Sequence, residues 1–172
     1  AYAEMIEGDI GYIRLTRFSK NSVPEMRTAL NKFVENDASA FILDLRNNPG
    51  GLLGSSIEIL EMIVQKDQLL LTTTGRNKKS NRSIYSKRTP IISEEMEIVV
   101  LINEGSASAS EIVAGTLQDL DRAVIMGKRS YGKGLVQSVV GLDKDHALKI
   151  TTAQYYTPSG RLIQKPGYIN ED

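Results

Sequence analysis

Apolar positions along this chain change their period several times, and each change marks an element. Residues 10–18 alternate as Ile-Gly-Tyr-Ile-Arg-Leu-Thr-Arg-Phe, the period of a strand with one polar face. At Ser22-Val23-Pro24-Glu25 the pattern becomes a capping box with proline in the first turn. Met26, Ala29, Leu30, Phe33 and Val34 then recur at helical spacing, predicting a helix over 22–35. Residues 38–45 read as a buried strand that opens into Asn47-Asn48-Pro49-Gly50-Gly51, a turn whose glycines permit positive φ. A helix over 52–64 and a strand over 68–74 follow. Residues 97–102, Glu-Ile-Val-Val-Leu-Ile, form a short β-branched run that predicts another buried strand. It ends in a small-residue turn at 105–109, after which Ile112, Val113, Thr116, Leu117 and Leu120 return to helical spacing. Residues 122–126, 135–142 and 147–155 supply further strands, the last two joined by a hairpin turn at Asp143-Lys144-Asp145-His146. Strands alternating with helices predict an α/β domain, a mixed sheet with helices packed on it.

Composition narrows this picture. The chain has 172 residues, 41% of them hydrophobic, and a formal net charge of zero, which fits one soluble domain with a real core and makes nucleic acid an unsuitable partner. No apolar run approaches the ~18 to 20 residues of a membrane span. The first ten residues lack the basic start and apolar core of a signal peptide, so the chain is expected to be mature or trimmed. Cysteine is absent, which excludes thiol catalysis, disulfides and thiolate metal sites. The polar, basic stretch 75–88 carries Arg76, Lys78, Lys79, Arg82, Lys87 and Arg88; it reads as a solvated hairpin or loop, with a substrate carboxylate as the alternative partner.

The stretch 103–137 carries the candidate chemistry. Ser106, Ser108 or Ser110 sits where strand becomes helix, next to free backbone N–H groups and the positive end of the helix dipole. That environment stabilises an anionic acyl-transfer intermediate, although serine there is also a preferred helix cap. A nucleophilic serine needs a base, and the single histidine, His146, falls in the hairpin turn. Lysine is the remaining choice, since its neutral amine is a base when burial or a like charge favours that form. Lys133 stands between Gly132 and Gly134, where the backbone can pass close to another element while the side chain reaches inward. A surface lysine in a glycine turn would read the same. The glycine-rich turns carry neither nucleotide-binding spacing.

Four words of this sequence resemble the catalytic core of the C-terminal processing proteases, also called tail-specific proteases, which are serine peptidases with a Ser/Lys dyad. They are Asp44-Leu45-Arg46-Asn47-Asn48-Pro49-Gly50-Gly51, Gly105-Ser106-Ala107-Ser108-Ala109-Ser110-Glu111-Ile112, Tyr131-Gly132-Lys133-Gly134-Leu135-Val136-Gln137, and Thr151-Thr152-Ala153 through Tyr156-Thr157-Pro158-Ser159-Gly160-Arg161, in the family's order. The resemblance implies Ser108 as nucleophile and Lys133 as base, with Gln137 supporting the lysine. If 133–137 is extended, Lys133 and Gln137 share one side of the strand. It also implies an oxyanion hole from the backbone amides of Gly51 and Ala109.

It implies further the ββα superhelical fold shared with Clp-type and crotonase-like proteins, and no metal or other cofactor. The substrate would be a polypeptide with an exposed C-terminus, met in an extracytoplasmic compartment. Residues 1–172 are expected to form one protease core without the PDZ domain that precedes it in the family. The stretch 2–11 resembles the segment after that domain, and 167–172 resembles an ending beyond which the family's chain continues. The oligomeric state is not implied. Two classes of function follow: an endopeptidase acting through an acyl-enzyme on Ser108, or a non-catalytic peptide- or ligand-binding domain on the same fold.

Overall fold

A computed structural model describes residues 1–166; the ending at 167–172 lies outside them. In chain order the elements are β1 (Tyr2–Ile6), β2 (Ile10–Arg14), α1 (Ser22–Glu35), β3 (Ala40–Asp44), α2 (Leu53–Leu60), β4 (Leu69–Thr74), β5 (Arg82–Tyr85), β6 (Glu97–Ile102), α3 (Ala109–Asp119), β7 (Val124–Gly127), β8 (Leu135–Gly141) and β9 (Ala147–Tyr156). The class is α/β, as the alternation predicts, but the strands divide between two sheets. The first is mixed, in the order β1-β2-β3-β6-β7, with β1 antiparallel and the other neighbours parallel. The second, β5-β4-β9-β8, is antiparallel throughout.

Packing explains the arrangement. Met26, Leu30 and Phe33 bury the inner stripe of α1 completely, each contributing about 1.5–3 kcal/mol over exposure. The Phe33 and Phe41 rings lie 6.1 Å apart. A Cβ at Gly11 in β2 would come within 2.4 Å of the Phe33 ring, so this glycine lets α1 settle on the sheet. Helix α1 packs on α2, and α2 packs on α3. Helix α3 touches β7 of the first sheet and β4 of the second, and the Thr116 hydroxyl donates to Leu70 O at 2.8 Å. It therefore joins the two sheets.

Four local expectations change. Strand β1 was not foreseen; it is a short edge strand closed onto β2 by the turn at Gly8, whose φ is +69°. Strand β2 stops at Arg14 rather than running to Phe18, because the chain leaves the sheet to form a single parallel bridge between Phe18 and Gly51. The cap of α1 is Asn21, while the Ser22 hydroxyl instead donates to Ser19 O at 2.6 Å. Helix α2 ends at Leu60, and residues 61–64 tighten into bonds such as Ile63 N–H to Leu60 O. The basic stretch is a hairpin, with a 3₁₀ turn at Lys78–Ser80 between β4 and β5. Among the described residues no helix is long and apolar enough to cross a membrane, and no cluster of acidic and histidine side chains is arranged to hold a metal ion.

Candidate active site

The parallel strands β3 and β6 are neighbours, and the loops leaving their C-terminal ends meet. That is the end of an open parallel sheet where ligands bind. At the end of β3, fully buried Asp44 accepts hydrogen bonds from Arg46 N (2.9 Å), Arg46 Nε (2.9 Å), Arg46 Nη2 (2.7 Å) and the Tyr12 hydroxyl (2.8 Å). Burial pushes its pKa up, but Arg46 and Tyr12 outweigh that and hold the carboxyl below its ordinary 3.8. A depressed carboxylate contributes stability that is fully present above 3.8 and is lost as pH falls through the folded-state value. We expect urea-unfolding midpoints to drop on acidification below that range, and Asp44→Asn to flatten the drop; an equally steep drop in the variant would refute the assignment.

The loop beyond Asp44 is knit to the loop beyond β6. Buried Asn48 donates its Nδ2 to Leu15 O (2.7 Å) and accepts from Gly50 N (2.9 Å), while its own carbonyl receives Ala107 N (3.0 Å) and the Ser110 hydroxyl (2.9 Å). Asn47 N donates to Asn103 Oδ1 (2.8 Å), and Asn103 Nδ2 returns a bond to Asn47 Oδ1 (3.0 Å). Gly50 has φ +96°, and a Cβ on it would lie 2.7 Å from Ala107 O and 2.9 Å from Ser108 Cβ. Only glycine lets this turn press against Ser108.

The three serines separate by burial and bonding. Ser106 and Ser110 are fully buried; Ser106 Oγ donates to Leu45 O (2.8 Å) and Ser110 Oγ donates to Asn48 O. Their hydroxyls are spent on holding the loops together. Ser108 is half-buried and stands at the N-cap of α3 with φ +56° and ψ −111°, a backbone state that costs about 1–3 kcal/mol in a non-glycine residue. It lines a pocket of about 460 Å³ shared with Lys133, Gly51, Leu52, Arg17 and Lys149. The first sheet thus supplies Ser108 and the approach to the second sheet supplies Lys133, which is exposed rather than buried as the sequence reading expects.

Glu111, not anticipated from the sequence as a site residue, ties these two together. Its carboxylate, 6% exposed, accepts from Ser108 N (2.8 Å), Lys133 N (2.8 Å), Gly132 N (2.5 Å) and the Ser130 hydroxyl (2.8 Å). One buried carboxylate therefore holds the backbone of both Ser108 and Lys133. The spacing Ser108-x-x-Glu111 is itself a capping-box signal, which accounts for the first of those bonds but not for the other three.

The remaining candidates fall as follows. Strand β8 begins at Leu135, so 133–137 is not one continuous strand and the premise for placing Lys133 and Gln137 on one side does not hold. Gln137 is exposed, pairs with Thr151, and makes no hydrogen bond to Lys133 among the described residues. Val139 pairs with Lys149 on the same hairpin, and Lys149 lines the Ser108 pocket, so the face that carries Gln137 is turned toward the pocket. The backbone N–H groups of Gly51 and Ala109 donate no hydrogen bond among the described residues. His146 lies at the tip of the β8–β9 hairpin, with Nδ1 2.7 Å from Asp143 Oδ1 and the side chain 73% exposed, away from this pocket.

Residues 9–172 match the model of Peptidase family S41. The chain is 43% identical over 166 residues to a carboxy-terminal-processing protease of Bartonella bacilliformis, covering 94% of this chain and 38% of that protein. It is 39% identical over 163 residues to a carboxyl-terminal-processing protease of a Synechocystis strain, covering 95% of this chain and 37% of that one. Among solved structures it resembles the photosystem II D1 C-terminal processing protease, with a TM-score of 0.82 and 36% identity over 90% of this chain and 39% of that chain. The chain thus spans under two fifths of the length of the curated relatives it matches.

Proposed function

The chain belongs to peptidase family S41, and from that premise we propose that residues 1–172 form the core of a serine endopeptidase that cleaves polypeptides near their C-termini. The observation that carries the proposal is that only Ser108, of the three serines at the start of α3, has its hydroxyl clear of the loop scaffold in a pocket with Lys133. Lys133 in its neutral form takes the Ser108 proton as Oγ attacks the scissile carbonyl. The resulting oxyanion is received by the N–H groups of Gly51 and Ala109, with the α3 dipole behind them. The Lys133 ammonium then protonates the departing amine, and a water activated by the same lysine releases the acyl group. Gln137, on the hairpin face turned to the pocket, is assigned the orientation of the Lys133 amine. No metal or nucleotide enters this sequence of steps. The extracytoplasmic compartment that the resemblance implies belongs to the same proposal.

A pH profile tests the base. Hydrolysis of an internally quenched peptide followed across the pH range should give superimposable curves for the native protein and His146→Ala. Loss of activity in His146→Ala would overturn the dyad in favour of a histidine base.

A further inference from the structure

Three cations converge on the Ser108 pocket. Arg17, Lys133 and Lys149 all line it, and no acidic residue does. Among the described residues none of the three makes a salt bridge, as is true of most lysines and arginines of this chain. The proposed chemistry uses Lys133 as a proton carrier. Arg17 and Lys149 have no part in that step.

Both line the pocket that holds Ser108. Arg17 precedes Phe18, whose N–H donates to Gly50 O at 2.9 Å and whose carbonyl accepts Leu52 N at 2.9 Å, so it is anchored to the glycine turn. Ser55 Oγ donates to Ser19 O at 2.9 Å and fixes the other side of that segment. Lys149 is set by its pairing with Val139 in the β8–β9 hairpin, which lines the same pocket as the turn. A recess lined by cations from separate segments and by no acid focuses a positive potential, and a guanidinium offers the paired donors that a carboxylate takes best. Leu52, 49% exposed, and Pro49 add an apolar wall. The basic hairpin at 75–88, the sequence's other candidate for holding a carboxylate, contributes nothing to this lining.

We propose that Arg17 and Lys149 form a carboxylate-reading subsite beside Ser108, selecting peptides that bring a carboxylate within a few residues of the scissile bond. The inference rests on the endopeptidase reading for its substrate class. The carboxylate is either the chain end or an Asp or Glu side chain, and the experiment distinguishes them.

The test is binding of fluorescent, otherwise neutral peptides to the Ser108→Ala protein, followed by anisotropy. One peptide ends in a free carboxylate, a second in an amide, and a third in an amide with glutamate at its penultimate position. The carboxylate peptide, or the glutamate peptide, should bind about tenfold or more tighter than the neutral amide, the scale of charge-assisted hydrogen bonds. In Arg17→Gln/Lys149→Gln that ratio should fall below about threefold, with the thermal midpoint unchanged, since both side chains are exposed. A preference for the free carboxylate assigns the chain end, and a preference for glutamate assigns the side chain. Equal affinity for all three peptides, no binding at millimolar concentration, or a ratio that survives in the double variant overturns the subsite. Hydrolysis of all three peptides by the Ser108 protein is scored separately. Failure to hydrolyse any of the three peptides, including the tightest-binding one, would overturn the endopeptidase reading while leaving a measured binding preference to stand for the subsite.

Discussion

Ser108→Ala is expected to abolish peptide hydrolysis, by a factor of at least about 10⁴ on the scale of nucleophile removal in serine proteases. Folding stability changes by no more than about 1–2 kcal/mol, the cost of a lost helix cap. The neighbouring serines give the opposite result. Ser106→Ala and Ser110→Ala remove hydroxyls that bond Leu45 O and Asn48 O inside the loop scaffold, so each should lose about 1–2 kcal/mol of stability and keep most of its activity. Kinetics and urea unfolding on the three variants separate the roles. Turnover surviving in Ser108→Ala would sink the assignment of the nucleophile.

Glu111→Ala has the second largest effect. The carboxylate accepts from three backbone N–H groups and one hydroxyl, so among the described residues its removal leaves the 130–133 loop tied to the turn before α3 by the Tyr131 N–H to Ser106 O bond alone. A displacement of about 1 Å in a catalytic group costs on the order of 10² in rate, and kcat is expected to fall by about 10²–10³ with a smaller change in KM. Glu111→Gln retains one acceptor oxygen and should fall between alanine and the native residue. Hydrogen exchange distinguishes positioning from general destabilisation: the amides of Ser108, Gly132 and Lys133 should exchange faster while β3 and β6 stay protected. Uniform loss of protection, with kcat restored at low temperature, would reduce Glu111 to a folding role.

Much of this was readable from the chain because local signals and tertiary packing agree. The β-branched run before α3, the small-residue turn and the helical stripe specify a strand, a turn and a helix at 97–120 without reference to anything distant. The same holds for α1, apart from its cap. What the sequence did not disclose depends on contacts between segments far apart in the chain. The apolar and β-branched residues of β4, β8 and β9 mark them as strands but not as members of a second sheet, because the pairing of β4 with β9 joins segments some eighty residues apart. Strand β1 carries Glu4 in a five-residue edge and offers little periodicity to read.

The same distinction runs through the site. Gly50 and Gly51 are legible as turn residues, whereas the pressure of Gly50 on Ser108 needs the second loop in place. Glu111 is legible as a cap partner of Ser108, whereas its hold on Gly132 and Lys133 spans more than twenty residues. Arg17 and Lys149 belong to unrelated words of the sequence, and only the fold brings them to one pocket.

The pairing of Ser108 with Lys133 is tested most directly by intact-mass measurement after incubation with a peptidyl phosphonate, which reacts with an activated serine. A single adduct should form, map to Ser108 and be absent from Ser108→Ala. In Lys133→Ala it should appear at least about a hundredfold more slowly, the usual worth of a positioned general base. An adduct on Ser106 or Ser110, or labelling of Ser108 at an undiminished rate without Lys133, would contradict the account.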